Sequence, residues 1–251
     1  MLGFSIYLNQ MITKEQIVWM QSMHDAGFTG VFTSLHIPED DAKQYLSRVT
    51  LLGQTCQRLG LQLTVDISAA GMQRMGVDVT QLMKLGITAL RVDDGFSMVA
   101  VADLSQQIPI ALNASTISEA DVQLLTTNQA NFDHLSAFHN YYPRPETGLD
   151  ESWLQAKNQW LRNQGFTVVA FVAGDSELRG PLHAGLPTLE ADRQQLPLAA
   201  TLHLLRCSSV DEVYIGDVGL SSHSYEQFQQ FFQHGIMQLT IQKPNELLTQ
   251  S

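Results

Sequence analysis

Residues 62–66 read Gln-Leu-Thr-Val-Asp, a short run of apolar and β-branched residues that ends in an acidic residue. This composition is typical of a buried strand. A helical pattern over Asp40–Leu59, closed by Gly60, precedes the run, and another helical stretch follows it. Strands that alternate with helices in this way pair in parallel, because each crossover helix brings the chain back to the end of the sheet at which the preceding strand began.

The same unit occurs eight times along the chain. The predicted strands are Gly3–Tyr7, Gly30–Ser34, Gln62–Asp66, Ala89–Asp93, Ile108–Asn113, Leu135–His139, Thr167–Ala173 and Glu212–Asp217. Helical patterns such as Lys14–Ala26 and Asp150–Asn163 separate them. Eight units in 251 residues predict an α/β fold, the (β/α)8 TIM barrel, as a single domain over residues 1–251. Its chemistry is expected at the carboxyl ends of the strands.

The predicted helices carry signals for where they start and stop. Thr13 and Gln16 form a capping box, and Asp150 can cap the helix that follows it. Each of four helices is expected to end at a glycine just before a strand. These glycines are Gly27, Gly60, Gly86 and Gly165.

The composition excludes several classes of protein. The formal net charge is −11, from 25 acidic and 14 basic residues, which disfavours binding to nucleic acid or to an anionic membrane surface. No apolar run approaches the roughly 18 residues of a membrane span, and no basic leader precedes the first strand. Cys56 and Cys207 are isolated, which indicates reduced thiols. We therefore expect a cytoplasmic protein.

Polar residues close several of the predicted strands. They are Asp66, Asp93, Asn113, His139 and Asp217, with Arg91 one alternation before Asp93. Because the strands of a parallel barrel end at the same rim, we expect these side chains to face one site. Two long segments, His139–Leu149 and Gly174–Thr188, follow strand ends on the same face. Long ordered loops in a compact domain are usually functional.

Several motifs together resemble one bacterial family, the 6-phospho-N-acetylmuramidases (MupG-like). The motifs are Leu2–Tyr7, Phe32–His36, Leu90–Phe96, Leu112–Ser115, His139–Pro143, Thr147–Leu149 and Gly185–Arg193. The resemblance runs in order along nearly the whole chain. It implies a cytoplasmic glycoside hydrolase that cleaves MurNAc 6-phosphate–GlcNAc during peptidoglycan turnover. Members of the family usually continue into a smaller C-terminal β-rich domain, and the sequence ending at Ser251 is expected to lack it.

Glycoside cleavage needs a proton donor for the leaving oxygen and a second group that stabilises or captures the anomeric carbon. We predict Asp93 and Glu190 for these two roles, with Asp66 as the substitute for either. Asp93 and Asp66 close neighbouring strands, and Glu190 follows Thr188, which can cap a helix. A substrate-assisted route, in which the acetamido carbonyl is the nucleophile, stays open. So does a structural role for each residue, such as a loop cap or a partner for Arg91.

The predicted substrate would carry a phosphate and a lactyl carboxylate, and the arginine fork suits both anions. Hydrogen bonds to sugar hydroxyls or to the acetamido group need histidine or amide side chains, and an aromatic ring can stack on a sugar. The predicted substrate-binding residues are Arg91, Asn113, His139, Asn140, Tyr142 and Arg193. Arg144 and Arg179 are further candidates on the loops of the same face.

No metal site and no cofactor are predicted, because the histidines are scattered and no glycine-rich nucleotide motif is present. The expected partner is a small phosphorylated disaccharide. Two alternatives stay open: a sugar-phosphate lyase or isomerase on the same barrel, and a non-catalytic sugar-phosphate-binding protein. The sequence leaves the oligomeric state and the stereochemistry of cleavage undetermined.

Overall fold

The computed structural model describes residues 1–35, 42–92 and 95–239. Eight parallel strands form a closed barrel in sequence order, with β8 paired to β1, which confirms the predicted TIM barrel. The strands are β1 Leu2–Ser5, β2 Gly30–Ser34, β3 Gln62–Asp66, β4 Ala89–Arg91, β5 Ile110–Asn113, β6 Leu135–Phe138, β7 Thr167–Val172 and β8 Glu212–Ile215.

Helices connect the strands around the outside of the barrel. They are α1 Lys14–Asp25, α2 Ala42–Leu59, α3 Ala69–Met75, α4 Val79–Lys84, α5 Met98–Ser105, α6 Glu119–Thr127, α7 Glu151–Asn163, α8 Pro197–Cys207 and α9 Ser222–His234. The predicted caps are confirmed: Thr13 and Gln16 form a capping box, and Asp150 accepts a hydrogen bond from the Trp153 N–H. The four predicted stop glycines all have positive φ, which side chains other than glycine rarely adopt.

Several strands are shorter than predicted, mostly at their carboxyl ends. Strand β6 ends at Phe138 and β8 at Ile215, so His139 and Asp217 lie just past the last ladder residues. Strand β5 starts at Ile110 and not at Ile108, because Pro109 has no N–H to donate to a neighbouring strand. The predicted end of β4, Asp93, lies outside the described residues. The predicted start of α2 at Asp40 does as well.

Aromatic rings fill the inside of the barrel. Phe32, Phe138, Phe171 and Tyr214 form a buried cluster, with the Phe32 and Phe171 ring centroids 5.3 Å apart. Tyr214 fits because Gly3 lies beside it on β1: a Cβ on Gly3 would overlap the tyrosine ring. The cluster separates the carboxyl end of the barrel from its amino end. It therefore forms a packed floor for anything that binds at the rim.

Candidate active site

A cavity of about 240 Å³ opens at the carboxyl end of the barrel. We call it the mouth cavity. Its lining residues are Phe32, Asp66, Arg91, His139, Asn140, Tyr141, Tyr142 and Phe171. They come from the ends of β3 and β4, from the inside of β2 and β7, and from the β6 loop (residues 139–150). Five of the residues predicted from the sequence are thus brought together: Asp66, Arg91, His139, Asn140 and Tyr142.

The polar centre of the mouth cavity is an ion pair with an amide beside it. Arg91 donates from Nη1 to Oδ1 of Asp66 at 3.0 Å and from Nη2 to Oδ1 of Asn140 at 2.7 Å. Oδ2 of Asp66 accepts a hydrogen bond from the Ser34 hydroxyl at 3.1 Å. Asp66 and Arg91 are 8% and 4% exposed, so each charge is balanced by the other in a dry setting. The carboxylate is held in one orientation at the wall of the cavity.

The side-chain amide of Asn140 can contact a ligand as well as Arg91. Its side-chain oxygen is used by Arg91, which leaves the amide nitrogen as a donor. Within the part of the chain that the structure describes, this nitrogen has no hydrogen-bond partner, and the residue is half-buried at the cavity wall. Asn140 can therefore donate a hydrogen bond to a ligand while it orients Arg91.

His139 is buried and neutral. Its Nε2 lies 2.6 Å from Oδ1 of Asn158, and Nδ2 of Asn158 donates to the Ser208 carbonyl at 2.7 Å. Because the asparagine oxygen must accept, Nε2 of His139 carries the proton and Nδ1 is an acceptor. Nδ1 is buried without a partner among the described residues. Burial lowers the pKa of His139 to about 4, so the ring is uncharged near neutral pH.

Aromatic rings form the rest of the cavity wall. Tyr141 packs edge-on against Phe171, with the ring centroids 5.3 Å apart. Tyr142 lines the same cavity, and its backbone N–H donates to the Pro187 carbonyl at 2.9 Å. Faces and edges of aromatic rings beside a fixed carboxylate and a free amide donor suit a ligand with both apolar and polar sides, such as a sugar.

Glu190 lies apart from the mouth cavity. It lines a separate, open cavity of about 530 Å³ together with Arg193 and neighbouring loop residues. Its two carboxylate oxygens accept hydrogen bonds from Nε and Nη2 of Arg193, each at 2.7 Å. They also accept the backbone N–H groups of Glu146 and Gly148, at 2.9 and 2.7 Å. The hydrogen bond from Arg193 is the main reason that the pKa of Glu190 falls to about 2.

The guanidinium of Arg193 likewise donates its hydrogen bonds to groups of the protein. Its Nη1 donates to the carbonyls of Tyr142, Ala184 and Gly185, and its Nη2 donates to the carbonyl of Arg144 as well as to Glu190. The pair therefore joins the β6 loop to the β7 loop (residues 173–196), and we call it the loop clamp. This arrangement favours a structural role for both side chains over the catalytic and substrate-binding roles predicted from the sequence.

The local structure at Glu190 also differs from the expectation that Thr188 caps a helix. Residues Glu190–Asp192 form a single 3-10 turn that has no side-chain cap. The Thr188 hydroxyl donates to the Asn140 carbonyl at 2.9 Å and accepts the Phe171 N–H at 2.9 Å. Thr188 therefore ties the β7 loop to the barrel and to the cavity wall.

Two other predicted rim residues, Asn113 and Asp217, are placed differently. Oδ1 of Asn113 accepts the Ser115 N–H at 3.1 Å, and the residue is not among those lining the mouth cavity. Asp217 is fully buried and accepts the N–H groups of Gly174, Arg179 and Leu186, so it holds the β7 loop in place. Asp93, the first predicted catalytic residue, lies outside the described residues.

Three aromatic residues of the site were missed by the sequence reasoning: Phe32, Tyr141 and Phe171. Phe32 and Phe171 lie within strands, where an inward aromatic residue has the same sequence signal as a core residue. Tyr141 stands next to the predicted Tyr142, and a loop has no periodicity that would show that both residues face the cavity.

Across residues 1–35, 42–92 and 95–239, no three or more His, Cys, Asp or Glu side chains are grouped so that they could hold a metal ion. Within these ranges, no helix combines the length and the apolar character needed to cross a membrane.

Comparison with known proteins identifies the family. The model of the family described as 6-phospho-N-acetylmuramidase, N-terminal, matches residues 2–230. The chain belongs to this family. The resemblance seen in the sequence motifs is thereby confirmed. No curated protein matches the chain.

Solved structures share the fold. The chain is similar to a conserved Enterococcus faecalis protein of unknown function, with 42% identity and a TM-score of 0.90 over 94% of this chain and 67% of that one. It is also similar to an uncharacterized B. cereus protein, with 23% identity and a TM-score of 0.77 over 91% of this chain and 64% of that one. A Yersinia pestis DHPS shares the fold alone, at 14% identity and a TM-score of 0.56 over 91% of both chains.

Proposed function

We propose that this protein is a glycosidase that cleaves a 6-phosphorylated amino-sugar glycoside, such as MurNAc 6-phosphate–GlcNAc, at the mouth cavity. Membership of the 6-phospho-N-acetylmuramidase family supports the reaction class. The observation that carries the proposal is the fixed Asp66 carboxylate in a small cavity with a free amide donor and aromatic walls. The position at the carboxyl end of the barrel is the usual one for a TIM-barrel active site.

Asp66 is the proposed stabilising group. Arg91 and Ser34 hold its two oxygens, so the carboxylate of the Asp66–Arg91 pair is fixed in orientation at the cavity wall. An oriented carboxylate can stabilise an oxocarbenium-like carbon, or it can orient a substrate acetamido group that attacks that carbon. The proton donor predicted from the sequence is Asp93, and this stays a prediction. Glu190 is not assigned the donor role, because a carboxyl with a pKa of about 2 holds no proton near neutral pH.

The remaining lining residues are proposed to bind the sugar. The free amide nitrogen of Asn140 would donate to a hydroxyl or acetamido oxygen, and Tyr141 and Tyr142 would contact the apolar face of the ring. His139 is proposed to support this wall from behind through its bond to Asn158.

The chain spans 67% and 64% of the lengths of the two similar bacterial proteins. Activity, substrate and a cytoplasmic role in peptidoglycan turnover are therefore proposals for this chain. We propose that the barrel alone carries the reacting groups, since the polar centre is built from β3, β4 and the β6 loop.

The test is incubation of the purified chain with MurNAc 6-phosphate–GlcNAc, followed by mass spectrometry of the products. Release of GlcNAc is expected, and Asp66→Asn should lower kcat by about 100-fold or more, as expected when an oriented charge in the active site is lost. The matched control is Asp103→Asn, an exposed aspartate on α5, which should leave kcat unchanged. An intact disaccharide after long incubation would overturn the proposal. Binding without cleavage would point to the non-catalytic alternative.

A further inference from the structure

Arg179 lies in the β7 loop, beside the mouth cavity. Its guanidinium stacks on the ring of Tyr7 at 3.7 Å from the ring centroid. Its Nη1 donates to the hydroxyl of Tyr141, a cavity-lining residue, at 2.5 Å. Its backbone N–H donates to the buried carboxylate of Asp217 at 2.9 Å. The backbone hydrogen bond, the stacking on Tyr7 and the hydrogen bond to the Tyr141 hydroxyl together fix the position of the guanidinium.

Arg179 differs from Arg91 and Arg193 in having no carboxylate partner among the described residues; Arg144 on the β6 loop has none there either, but it is exposed to solvent. Arg91 pairs with Asp66, and Arg193 pairs with Glu190. Within residues 1–35, 42–92 and 95–239, no salt bridge involves Arg179, although the side chain is half-buried and the chain carries a net charge of −11. A partly desolvated cation at the rim of a cavity is costly unless an anion comes to it.

The two tyrosines do not supply that anion. The Tyr7 hydroxyl donates to the Gly216 carbonyl at 2.5 Å, and burial raises the pKa of Tyr7 well above its usual range. Tyr7 is therefore neutral, and its ring acts as a flat support for the guanidinium. Among the described residues, the guanidinium N–H groups of Arg179 that do not donate to Tyr141 have no acceptor. A planar guanidinium held on one face presents its edge, and this edge binds oxyanions through paired hydrogen bonds.

We propose that Arg179 is the specificity-determining residue that binds the phosphate of the substrate at the edge of the mouth cavity. The inference rests on the proposed function, because it places the phosphorylated sugar against Tyr141 with its phosphate toward Arg179. Arg91 and Arg193 are unsuited to the task, because Asp66 and Glu190 already balance their charges. Tyr141 then has two tasks: its ring lines the cavity, and its hydroxyl aims the guanidinium.

The first experiment measures binding without catalysis. Isothermal titration of the full chain with N-acetylglucosamine 6-phosphate and with N-acetylglucosamine compares the two sugars directly. Arg179→Gln should weaken binding of the phosphorylated sugar by about 10- to 100-fold, the range for a lost charged hydrogen bond, and leave the plain sugar unaffected. Arg179→Lys keeps the charge without the fork and should fall between. The control is Arg58→Gln, an exposed arginine in the last turn of α2, which should bind like the wild type.

Tyr141→Phe provides a second variant that keeps the charge. It removes the hydroxyl that positions Arg179, and phosphate-dependent affinity should fall several-fold with the folded state retained. If Arg179→Gln does not fold, Arg179→Lys and Tyr141→Phe carry the test. Equal affinity of the wild type for both sugars would overturn the inference. Unchanged affinity of these variants for the phosphorylated sugar would overturn it as well.

The second experiment separates this inference from the proposed function. Turnover of MurNAc 6-phosphate–GlcNAc and of its unphosphorylated twin is compared in the wild type and in Arg179→Gln. Suppose that the wild type cleaves neither disaccharide, but that Arg179→Gln binds the sugar phosphate more weakly than the wild type does. The phosphate site is then supported, and the proposed hydrolase activity is refuted. If the wild type cleaves the phosphorylated disaccharide and Arg179→Gln keeps its preference for it, the hydrolase stands and the role of Arg179 is refuted.

Discussion

Replacing Glu190 by glutamine separates the two roles that this residue can have. The substitution keeps the size of the side chain and removes its charge. One carboxylate oxygen becomes an amide NH2, which then faces a donor, either a nitrogen of Arg193 or a backbone N–H of the β6 loop. The Arg193 side chain, only 6% exposed, would lose its counter-charge. If Glu190 belongs to the loop clamp, the effect should appear in stability first.

The magnitude follows from the lowered pKa. A fall from the ordinary value of 4.5 to about 2 corresponds to at most about 3 kcal/mol of stability. The carboxylate is 31% exposed, so solvent screening reduces this to about 2 kcal/mol. Because the folded-state pKa is depressed, the stabilisation is complete above pH 4.5 and is lost as the pH falls toward 2. The wild type and Glu190→Gln should therefore differ at pH 7 and converge in acid.

Urea denaturation of both proteins at pH 7, 5, 4 and 3 measures this difference. Glu177→Gln is the matched control, because Glu177 is an exposed glutamate on the same loop. We expect a loss of about 2 kcal/mol for Glu190→Gln at pH 7, none for the control, and kcat within about 10-fold of the wild type, since clamp loss shifts a loop without removing a reacting group. Unchanged stability together with a kcat loss of about 100-fold or more would refute the clamp and restore the catalytic role.

Three further expectations can be checked separately. The imidazole of His139 should stay neutral in an NMR titration from pH 8 to pH 5.5, because burial lowers its pKa to about 4; an inflection near pH 6.5 would contradict this. Stability linked to this ring should fall as the pH drops from 6.5 toward 4, since the unfolded state takes up the proton first. Gly3→Ala should cost about 1–3 kcal/mol by overpacking against Tyr214, measured against Gly219→Ala, whose new Cβ meets its nearest neighbour at 3.8 Å.

The barrel was predictable because its signals are local and repeated. The run at residues 62–66 forms β3 with the predicted bounds, and Thr13 and Asp150 cap their helices as expected. Each of these features depends on a few neighbouring residues. The carboxyl ends of the strands were predicted less accurately, since a strand ends at the residue where the neighbouring strand no longer pairs with it. That event depends on another part of the chain, as at Phe138 and Ile215.

The site was predictable only in part. Asp66 and Arg91 close neighbouring parallel strands, so their meeting in the mouth cavity follows from topology. Arg193, the ion-pair partner of Glu190, is three residues away in the sequence. The backbone N–H groups that also donate to the Glu190 carboxylate come from Glu146 and Gly148 on another loop. No sequence pattern shows such a meeting of two loops. The stacking of Arg179 on Tyr7 was hidden for the same reason.

The aromatic floor beneath the mouth cavity has a consequence for the path by which a ligand reaches the cavity. In the described part of the chain, Phe32, Phe171 and Tyr214 pack together and close the inside of the barrel, so a ligand of the mouth cavity enters and leaves by the rim. In the proposed glycosidase, the sugar bound in the cavity of about 240 Å³ would rest on this floor, and the rest of the substrate would extend past the rim. The half of the substrate that projects into solvent would depart first, and the sugar in the pocket would leave last.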